Sequence, residues 1–400
     1  MNGGQEVNDK ICVLPFVHLA THPNGNVSLC CVSDHVKCAS HAQTDGRILN
    51  LNRDSVYNVF NSDLFKKTRL EMLAGKEPYP CRRCYDEERN GIESKRIKEN
   101  KQYADISKDI IASTQEDGTL QPNFTFIELR LGDICNLKCR TCNPVSSSKW
   151  VVEYKKLNED LTFVTDYSKI EKGTWFEDDD FWNELVRCSS NLDTVYVNGG
   201  EPTMVDKHFN FLRRLIDYGL NKQVTLWYNI NLTNLPQNLI DLWLQFKGVQ
   251  VSVSIDDLGK RNEYIRTGSK WVETINNLIK VRNISKLLDV SVCQTVSIYN
   301  IFYIDEFYQY MKDIPVHLNW CYDPQFLQPW ILPENVKDII TAKVKMSKFM
   351  PEHAKNNVIE TLKKPSNPEL VQQFKQYNEK LDQYRTTKFD EVFPELKDYI

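Results

Sequence analysis

The stretch FTFIELRLGDICNLKCRTC, residues 124–142, joins a strand-like apolar run to three closely spaced cysteines. The run at 124–131 is rich in residues that favour strands, and Gly132 and Asp133 then predict a turn. Cys135, Cys139 and Cys142 follow in a C-x3-C-x2-C pattern. A loop of this length can wrap three thiolates around one face of a cubane iron–sulfur cluster, which leaves one iron open. The spacing favours such a cluster over zinc, because zinc needs a fourth ligand and no histidine lies nearby.

The chain beyond this stretch alternates strand-like and helix-like segments. Residues 209, 212 and 216 are apolar on one helical face, which is typical of helices that cover a sheet. This alternation predicts parallel βαβ units, and the sites of such folds lie at the carboxyl ends of the strands. Six strands are too few for a closed eight-fold barrel, so the sequence predicts an α/β protein with an open, partial (β/α)6 TIM-like barrel. The strand-like runs are residues 124–131, 194–197, 224–228, 249–255, 289–296 and 316–320.

The predicted domain organisation has four parts. Residues 1–105 form a small cysteine-rich domain, and residues 106–123 are a polar linker. The partial barrel extends over residues 124–330. Residues 331–400 are charged and helical, with apolar residues at helical spacing, and we expect them to pack on the barrel.

Composition restricts the class of protein. The chain has 400 residues and a net charge of −4, so no overall basic field attracts nucleic acid, and the mixed charges over 82–101 predict a solvated helix. No run of about 18 apolar residues predicts a membrane span, and the polar start does not resemble a secretory signal. Nine of the twelve cysteines lie in the first 142 residues. We therefore expect a soluble, cytoplasmic protein whose clustered cysteines bind metal rather than form disulfides.

A second motif, Gly199-Gly200-Glu201-Pro202, follows the second strand of the predicted barrel. Glycines allow a ligand to approach the backbone, and the carboxylate of Glu201 can accept a hydrogen bond from an ammonium group. With this motif and the cysteine triplet, residues 124–330 resemble the radical SAM enzymes. The resemblance implies that Cys135, Cys139 and Cys142 bind a [4Fe–4S] cluster. It also implies that residues 199–202 bind the methionyl amino group of S-adenosylmethionine.

The resemblance suggests further cofactor contacts at later strand ends. Asn229 follows the third strand, and Ser254 and Asp256 lie at the end of the fourth, where a carboxylate or hydroxyl would hold the ribose hydroxyls. Arg266 would pair with the methionyl carboxylate. The alternative for each is ordinary polarity at a strand end. One departure concerns Thr141, since the family usually has an aromatic residue before the third cysteine, packed near the adenine.

The N-terminal cysteines resemble the auxiliary-cluster modules called SPASM and twitch. Cys12, the G-x4-C segment that ends at Cys30, and the C-x2-C pair Cys81 and Cys84 supply four ligands for an auxiliary [4Fe–4S] cluster. A helix over residues 50–72 would join the two halves, and the module here precedes the barrel instead of following it. Cys31 and Cys38 remain as alternative ligands. The competing interpretation is a zinc ribbon with Cys30 or Cys31, Cys81, Cys84, and either Cys38 or His41.

The resemblance implies a radical SAM enzyme that reductively cleaves S-adenosylmethionine to a 5′-deoxyadenosyl radical and abstracts hydrogen from a substrate. The implied substrate is a peptide, a protein side chain or a small molecule, and an external donor supplies electrons. The auxiliary cluster would assist oxidation or crosslinking. The sequence identifies no catalytic side chain and gives little support for a nucleic-acid or membrane partner. The alternative is a non-enzymatic zinc- or cluster-binding scaffold protein.

Overall fold

The computed structural model describes residues 9–33, 39–169 and 171–400, so Cys38 lies outside the described residues. The N-terminal region contains short strands and helices up to residue 112. The predicted single helix over 50–72 is instead two helices, because Ser62 is extended between them, with ψ at 156°. The elements are α1 (Leu14–Val17), β1 (His18–Thr21), β2 (Val27–Ser28), β3 (Gln43–Thr44), β4 (Arg47–Ile48), α2 (Val56–Phe60), α3 (Asp63–Leu73), α4 (Arg82–Arg89), α5 (Lys95–Gln102) and α6 (Ala104–Ala112).

From residue 126 strands alternate with helices, as the sequence predicts. Each of the six predicted strands is present, with ends that differ by a few residues. The elements are β5 (Phe126–Leu131), α7 (Val151–Asp160), α8 (Asp179–Arg187), β6 (Thr194–Gly199), α9 (Asp206–Asp217), β7 (Thr225–Ile230), α10 (Gln237–Trp243), β8 (Gly248–Ser254), α11 (Gly259–Ile265), α12 (Trp271–Ile284), β9 (Leu288–Val296), α13 (Ile304–Tyr310), β10 (Val316–Trp320), α14 (Glu334–Met346), α15 (Glu352–Leu362), α16 (Pro368–Arg385) and α17 (Phe389–Val392).

Eight of the described strands form one sheet in the order β10-β9-β8-β7-β6-β5-β1-β2. The pairs β1/β5, β5/β6, β8/β9 and β9/β10 are parallel, and β1/β2 is antiparallel. The predicted α/β class and partial-barrel fold are confirmed, and the sheet is wider than predicted because β1 and β2 add two N-terminal strands. In the register, His18 lies beside Phe126 and Leu131 beside Gly199.

The chain divides into two compact units, which are described separately. The first contains residues 1–132, 171–227 and 241–248, and the second contains residues 133–170, 228–240 and 249–400. This division differs from the boundaries predicted at residues 105 and 123, because β1 from the N-terminal region pairs along β5. The four domains that the sequence predicts, with limits at residues 105, 123 and 330, stay a prediction.

A buried arginine holds the first unit together around α2 and α3. The Arg69 guanidinium donates to the carbonyl oxygens of Pro15 at 2.8 Å, Phe60 at 2.7 Å and Gly118 at 3.1 Å. It also lies 4.1 Å from the centre of the Phe60 ring. Burial lowers the pKa of Arg69 to about 9. One side chain thus satisfies three carbonyl groups that a buried loop would otherwise leave unpaired.

The second unit has an aromatic core to which the C-terminal helices contribute. Tyr264 and Tyr299 pack against each other and against Phe389 and Phe393, and Tyr299 also packs against Phe374 of α16. Helix α16 begins with Pro368 in its first turn, where the missing N–H is tolerated, and Asn367 caps it. The predicted helical C-terminal segment is therefore part of this core. No helix among the described residues is long and apolar enough to cross a membrane.

Candidate metal centres

The cysteine triplet lies on an irregular loop of the second unit. The loop folds back on itself, since the Cys142 N–H donates to the Cys139 carbonyl at 2.9 Å and the Leu137 N–H reaches the Cys135 sulfur at 3.5 Å. The Ser147 hydroxyl donates to the Leu137 carbonyl at 2.6 Å. These local bonds bring the three thiols into one region.

The segment after α11 supports this loop through its backbone. The Lys138 N–H donates to the Thr267 carbonyl at 2.9 Å, and the Arg140 N–H donates to the Ile265 carbonyl at 2.7 Å. Gly268 has φ at +105°, and a Cβ there would lie 3.2 Å from the Leu137 side chain. Glycine at this position therefore allows the close approach of the two segments.

The buried environment of the triplet disfavours free thiolates. Burial raises the pKa of Cys139 to about 11 and that of Cys142 to about 12. Cys135 raises both further, whereas the positive charge of Arg266 lowers both. Neutral thiols in the metal-free chain would therefore release protons when a metal centre binds them.

Arg266 and Asp256 form a buried pair in the same region. Arg266 Nη1 lies 3.1 Å from Asp256 Oδ2, and the Thr295 N–H donates to Asp256 Oδ1 at 2.9 Å. Asp256 is fully buried, and both of its carboxylate oxygens have protein partners. Burial lowers the pKa of Arg266, but nearby negative charges, of which Cys139 has the largest effect, raise the pKa above its usual value. Asp256 is thus placed to orient Arg266.

Ser254 and Asn229, which the sequence predicts at strand ends, occupy different positions along their strands. Ser254 ends β8 and lies beside Cys293 of β9 in the parallel register. The charges of Asp256 and Arg266 both affect the pKa of Cys293, which burial raises to about 11. Asn229 lies within β7 as a half-buried residue, one position before the strand ends, and not after the strand as the sequence predicts.

The Gly199–Pro202 segment is in the first unit, where β6 ends. Gly199 has φ at +123°, and a Cβ there would lie 2.4 Å from the Leu131 nitrogen. Glu201 is buried, and its Oε1 accepts hydrogen bonds from the Thr203 N–H at 3.2 Å and the Thr203 hydroxyl at 2.7 Å. Pro202 then begins a single helical turn. The segment is a rigid turn that only glycine permits at its first position.

Four N-terminal cysteines line one small cavity of the first unit. Cys12 precedes α1, Cys30 follows β2, Cys81 ends the turn before α4, and Cys84 lies in α4. The cavity also contacts Lys95 and Arg96. Three segments that are distant in sequence, near residues 12, 30 and 81–84, therefore bring these thiols together.

The thiols of this cavity influence one another. Burial is the main cause that raises the pKa of each of the four. The charges of Cys12, Cys30 and Cys84 raise the pKa of Cys81 further. No three Cys, His, Asp or Glu side chains of the described residues lie close enough to share a single metal ion. A cubane cluster binds each cysteine through a different iron, so its ligands surround the cluster instead of one point.

Cys31 does not line this cavity, although it is next to Cys30 in the chain. Burial raises the pKa of Cys31 to about 12, and the nearby charges that affect it include Glu128, Lys95 and Arg130. The His41 ring contacts the His22 ring at 4.9 Å between centres.

Lys95 and Arg96 also line the cysteine cavity, which the sequence does not predict. Their stretch was predicted to be a solvated helix with compensating charges, but Arg96 is buried. Arg96 pairs with Glu88 and donates to the carbonyls of Asp9 at 2.6 Å and Ile11 at 2.8 Å. A detectable signal was the capping residue Ser94, which fixes where α5 begins and hence which of its residues face inward.

The chain is similar to several known proteins. Residues 12–85 match the SPASM family, described as an iron–sulfur cluster-binding domain. The GTP 3′,8-cyclases of Actinobacillus pleuropneumoniae serotype 3 (strain JL03) and serotype 5b (strain L20) are each 22% identical to the chain over 205 residues. Each alignment covers 49% of this chain and 52% of the relative. The chain thus spans about half the length of the curated relatives it matches.

Two solved structures also align with the chain. The anSMEcpe structure with bound AdoMet and the Cp18Cys peptide has a TM-score of 0.39 and 15% identity, and the alignment covers 55% of this chain and 58% of that one. The SuiB structure from Streptococcus suis, bound to its precursor peptide SuiA, has a TM-score of 0.37 and 13% identity, and the alignment covers 87% of this chain and 71% of that one.

The family match and the curated relatives confirm the resemblance that the triplet and the Gly199–Pro202 segment indicate. The similarity implies [4Fe–4S] clusters, one of them auxiliary, and S-adenosylmethionine as the cofactors. Residues 12–85 thus match the SPASM iron–sulfur cluster-binding domain, and the chain is similar to radical SAM enzymes.

Proposed function

We propose that the protein is an enzyme that reductively cleaves S-adenosylmethionine and uses the 5′-deoxyadenosyl radical to abstract hydrogen from a peptide or protein side chain. The observation that carries this proposal is the loop on which Cys135, Cys139 and Cys142 come together beside the charge of Arg266. Three cysteines fit a [4Fe–4S] cluster with one iron left for the cofactor, and the bound cluster supplies the electron for the cleavage.

We assign each cofactor contact from the surroundings of its own residue. Arg266 would pair with the methionyl carboxylate, and Asp256 would hold its guanidinium in position through the 3.1 Å contact. Glu201, in its turn with Thr203, would accept from the methionyl ammonium group, and Gly199 would allow the backbone to approach it. Asn229 and Ser254 would contact the ribose. These assignments follow the family resemblance.

The auxiliary cluster would be held by Cys12, Cys30, Cys81 and Cys84. These four thiols line one cavity, and a cluster with four cysteine ligands has no iron left for substrate. Such a cluster suits electron transfer. Lys95 at the cavity wall supports this assignment, because a fixed positive charge favours a cluster whose total charge is negative. An external donor would supply electrons, and we expect the protein to act in the cytoplasm.

The substrate class follows the resemblance to SPASM-containing enzymes, many of which modify peptides. Removal of one electron from the substrate radical by the auxiliary cluster would make the overall reaction an oxidation or a crosslink. The alternative to a peptide or protein substrate is a small molecule, and assays with both classes of compound would distinguish them.

The test is anaerobic reconstitution with iron and sulfide, followed by dithionite and S-adenosylmethionine. We expect about eight irons in the wild type and about four in a Cys135→Ala/Cys139→Ala/Cys142→Ala variant, with 5′-deoxyadenosine formed only by the wild type. A Cys188→Ala variant is the matched control, since Cys188 is a buried thiol that follows α8. Zinc in place of iron, with no nucleoside formed, would favour the scaffold alternative and refute the enzyme.

A further inference from the structure

Helix α16 contributes buried side chains to the loop that carries the cysteine triplet. Arg140, which lies between Cys139 and Cys142 in the chain, has a fully buried side chain. Its Nη1 donates to Asn378 Oδ1 at 2.9 Å, and its Nη2 donates to Asp382 Oδ1 at 2.6 Å. The loop is thus tied to α16 by a buried, charge-assisted pair.

The same arginine is also fixed from the other side. Its guanidinium lies 3.6 Å from the centre of the Tyr264 ring, and its Nε donates to the Tyr264 carbonyl at 3.2 Å. The Tyr377 hydroxyl of α16 donates to the Arg140 carbonyl at 3.3 Å. Backbone and side chain of Arg140 are therefore both held, and a planar guanidinium is required for this combination of stacking and hydrogen bonds.

Arg385, the last residue of α16, lies close to the same loop. It donates to Glu153 Oε2 at 2.8 and 2.9 Å and to the Thr267 hydroxyl at 2.9 Å. Its guanidinium is 4.4 Å from the centre of the Trp150 ring, whose Nε1 donates to the Cys139 carbonyl at 3.0 Å. The Arg385 side chain is 2% exposed, so solvent screens its charge poorly.

We propose that α16 is a functional part of the triplet site, in which Arg140 positions the cysteine loop and Arg385 raises the reduction potential of the cluster that the loop holds. This role rests on the proposed function, since it concerns the cluster at Cys135, Cys139 and Cys142. Reduction adds one negative charge to the cluster, and a fixed positive charge nearby stabilises that state. Glu153, which pairs with Arg385, acts with the opposite sign.

The test of the charge effect is a redox titration of the reconstituted full chain, followed by EPR. The signal to follow is the one that changes when S-adenosylmethionine is added, because this separates the triplet cluster from the auxiliary one. We expect Arg385→Gln to shift the midpoint potential to a more negative value and Glu153→Gln to a more positive value. Arg385→Lys should return it towards the wild-type value.

Lys380→Gln is the matched control, since it removes a positive charge from the same helix. Lys380 pairs with Asp160 at 2.9 Å, and both side chains are more than a third exposed, so water should screen the change. Equal potentials for Arg385→Gln and the wild type, or shifts of the same sign for Arg385→Gln and Glu153→Gln, would overturn the electrostatic role.

The positioning role of Arg140 has its own readout, the rate at which the triplet cluster loses iron to a chelator. Asp382→Asn weakens the buried pair but keeps the shape of the side chain, and we expect the SAM-sensitive signal to decay several-fold faster than in the wild type. Lys380→Gln should decay at the wild-type rate. An unchanged decay in Asp382→Asn would overturn this role. A wild type without any SAM-sensitive signal would contradict the proposed function itself, whereas a signal whose potential and decay do not respond to these variants contradicts only the role of α16.

Discussion

The Arg266 guanidinium donates to the Asp256 carboxylate in the second unit, with 3.1 Å between Nη1 and Oδ2. Asp256 is fully buried and also accepts a hydrogen bond from the Thr295 N–H. The pair therefore has a fixed geometry, in which the carboxylate directs the guanidinium.

Asp256→Asn should weaken the binding of S-adenosylmethionine, because Arg266 loses its charged partner. A hydrogen bond to a charged group contributes about 1.5–3 kcal/mol, which corresponds to an increase in KM of about tenfold or more. The measurement is the rate of 5′-deoxyadenosine formation as a function of cofactor concentration. Glu306→Gln is the control, since it breaks the Arg261 pair at 2.9 Å in the same unit, where Glu306 is 44% exposed. An unchanged KM in Asp256→Asn would contradict this role.

Gly199→Ala should abolish the turn at the end of β6. The added Cβ would lie 2.4 Å from the Leu131 backbone nitrogen, which cannot move without breaking the β5/β6 pairing. The matched control is Gly75→Ala, because Gly75 also has a positive φ, +72°, but nothing within 4 Å of the added Cβ. We expect a stability loss of about 1 kcal/mol for the control, from backbone strain alone.

The two glycine variants are compared by urea unfolding and by equilibrium dialysis with S-adenosylmethionine. Gly199→Ala should lose several times more stability than Gly75→Ala and should not retain the cofactor. Similar unfolding free energies for both variants would mean that the close strand approach at Gly199 does not matter.

Cys30→Ala and Cys31→Ala should differ in iron content. Cys30 lines the cavity with Cys12, Cys81 and Cys84, whereas Cys31 lies beside Glu128 and Lys95. We expect the iron of the auxiliary cluster, about four per chain, to be lost or destabilised in Cys30→Ala and kept in Cys31→Ala. Iron and sulfide analysis after gel filtration measures this. The reverse result would assign Cys31 as the ligand.

The protein should lose stability as the pH falls from about 6.5 towards 4. Burial lowers the pKa of His18 and of His208 from 6.5 to about 4. Between these values the unfolded chain binds more protons than the folded one, so the stability that is present above pH 6.5 is lost as the pH approaches 4. Each histidine accounts for about 3 kcal/mol at the acidic limit, since one pKa unit is worth about 1.4 kcal/mol.

Urea midpoints at pH 7 and pH 4.5 test this expectation. His208→Gln should flatten part of the pH dependence, because it removes one of the two buried histidines. A His208→Gln variant with the full wild-type slope would show that folding does not lower the pKa of this histidine.

Much of the fold could be predicted because its signals are local. The six barrel strands follow from short runs of β-branched and apolar residues, and the helical end follows from spacing such as that of Tyr377 and Leu381. The break at Ser62 between α2 and α3 was missed, because the apolar pattern continues through it. The pairing of β1 with β5 was also missed, since it joins residues more than 100 positions apart.

In the candidate sites, too, the local features could be predicted and the contacts between distant residues could not. The triplet and the glycine turn are contiguous in sequence and could be recognised there. Arg140 could not, because its partners Asn378 and Asp382 lie about 240 positions away. The sequence around Lys95 and Arg96 is that of an ordinary charged helix. Only the position of α5 shows that these two side chains line the cysteine cavity. The sequence predicts Asn229 after its strand because polar residues are common where strands end, whereas this one lies within the strand.

The central claim is that the cysteine triplet supports radical cleavage of S-adenosylmethionine. The most direct measurement is the amount of 5′-deoxyadenosine formed after dithionite reduction by the anaerobically reconstituted wild type and by the Cys135→Ala/Cys139→Ala/Cys142→Ala variant. The account predicts nucleoside from the wild type and none from the variant, with the iron of the N-terminal module retained in both. No nucleoside from an iron-loaded wild type, or equal amounts from both proteins, would contradict it.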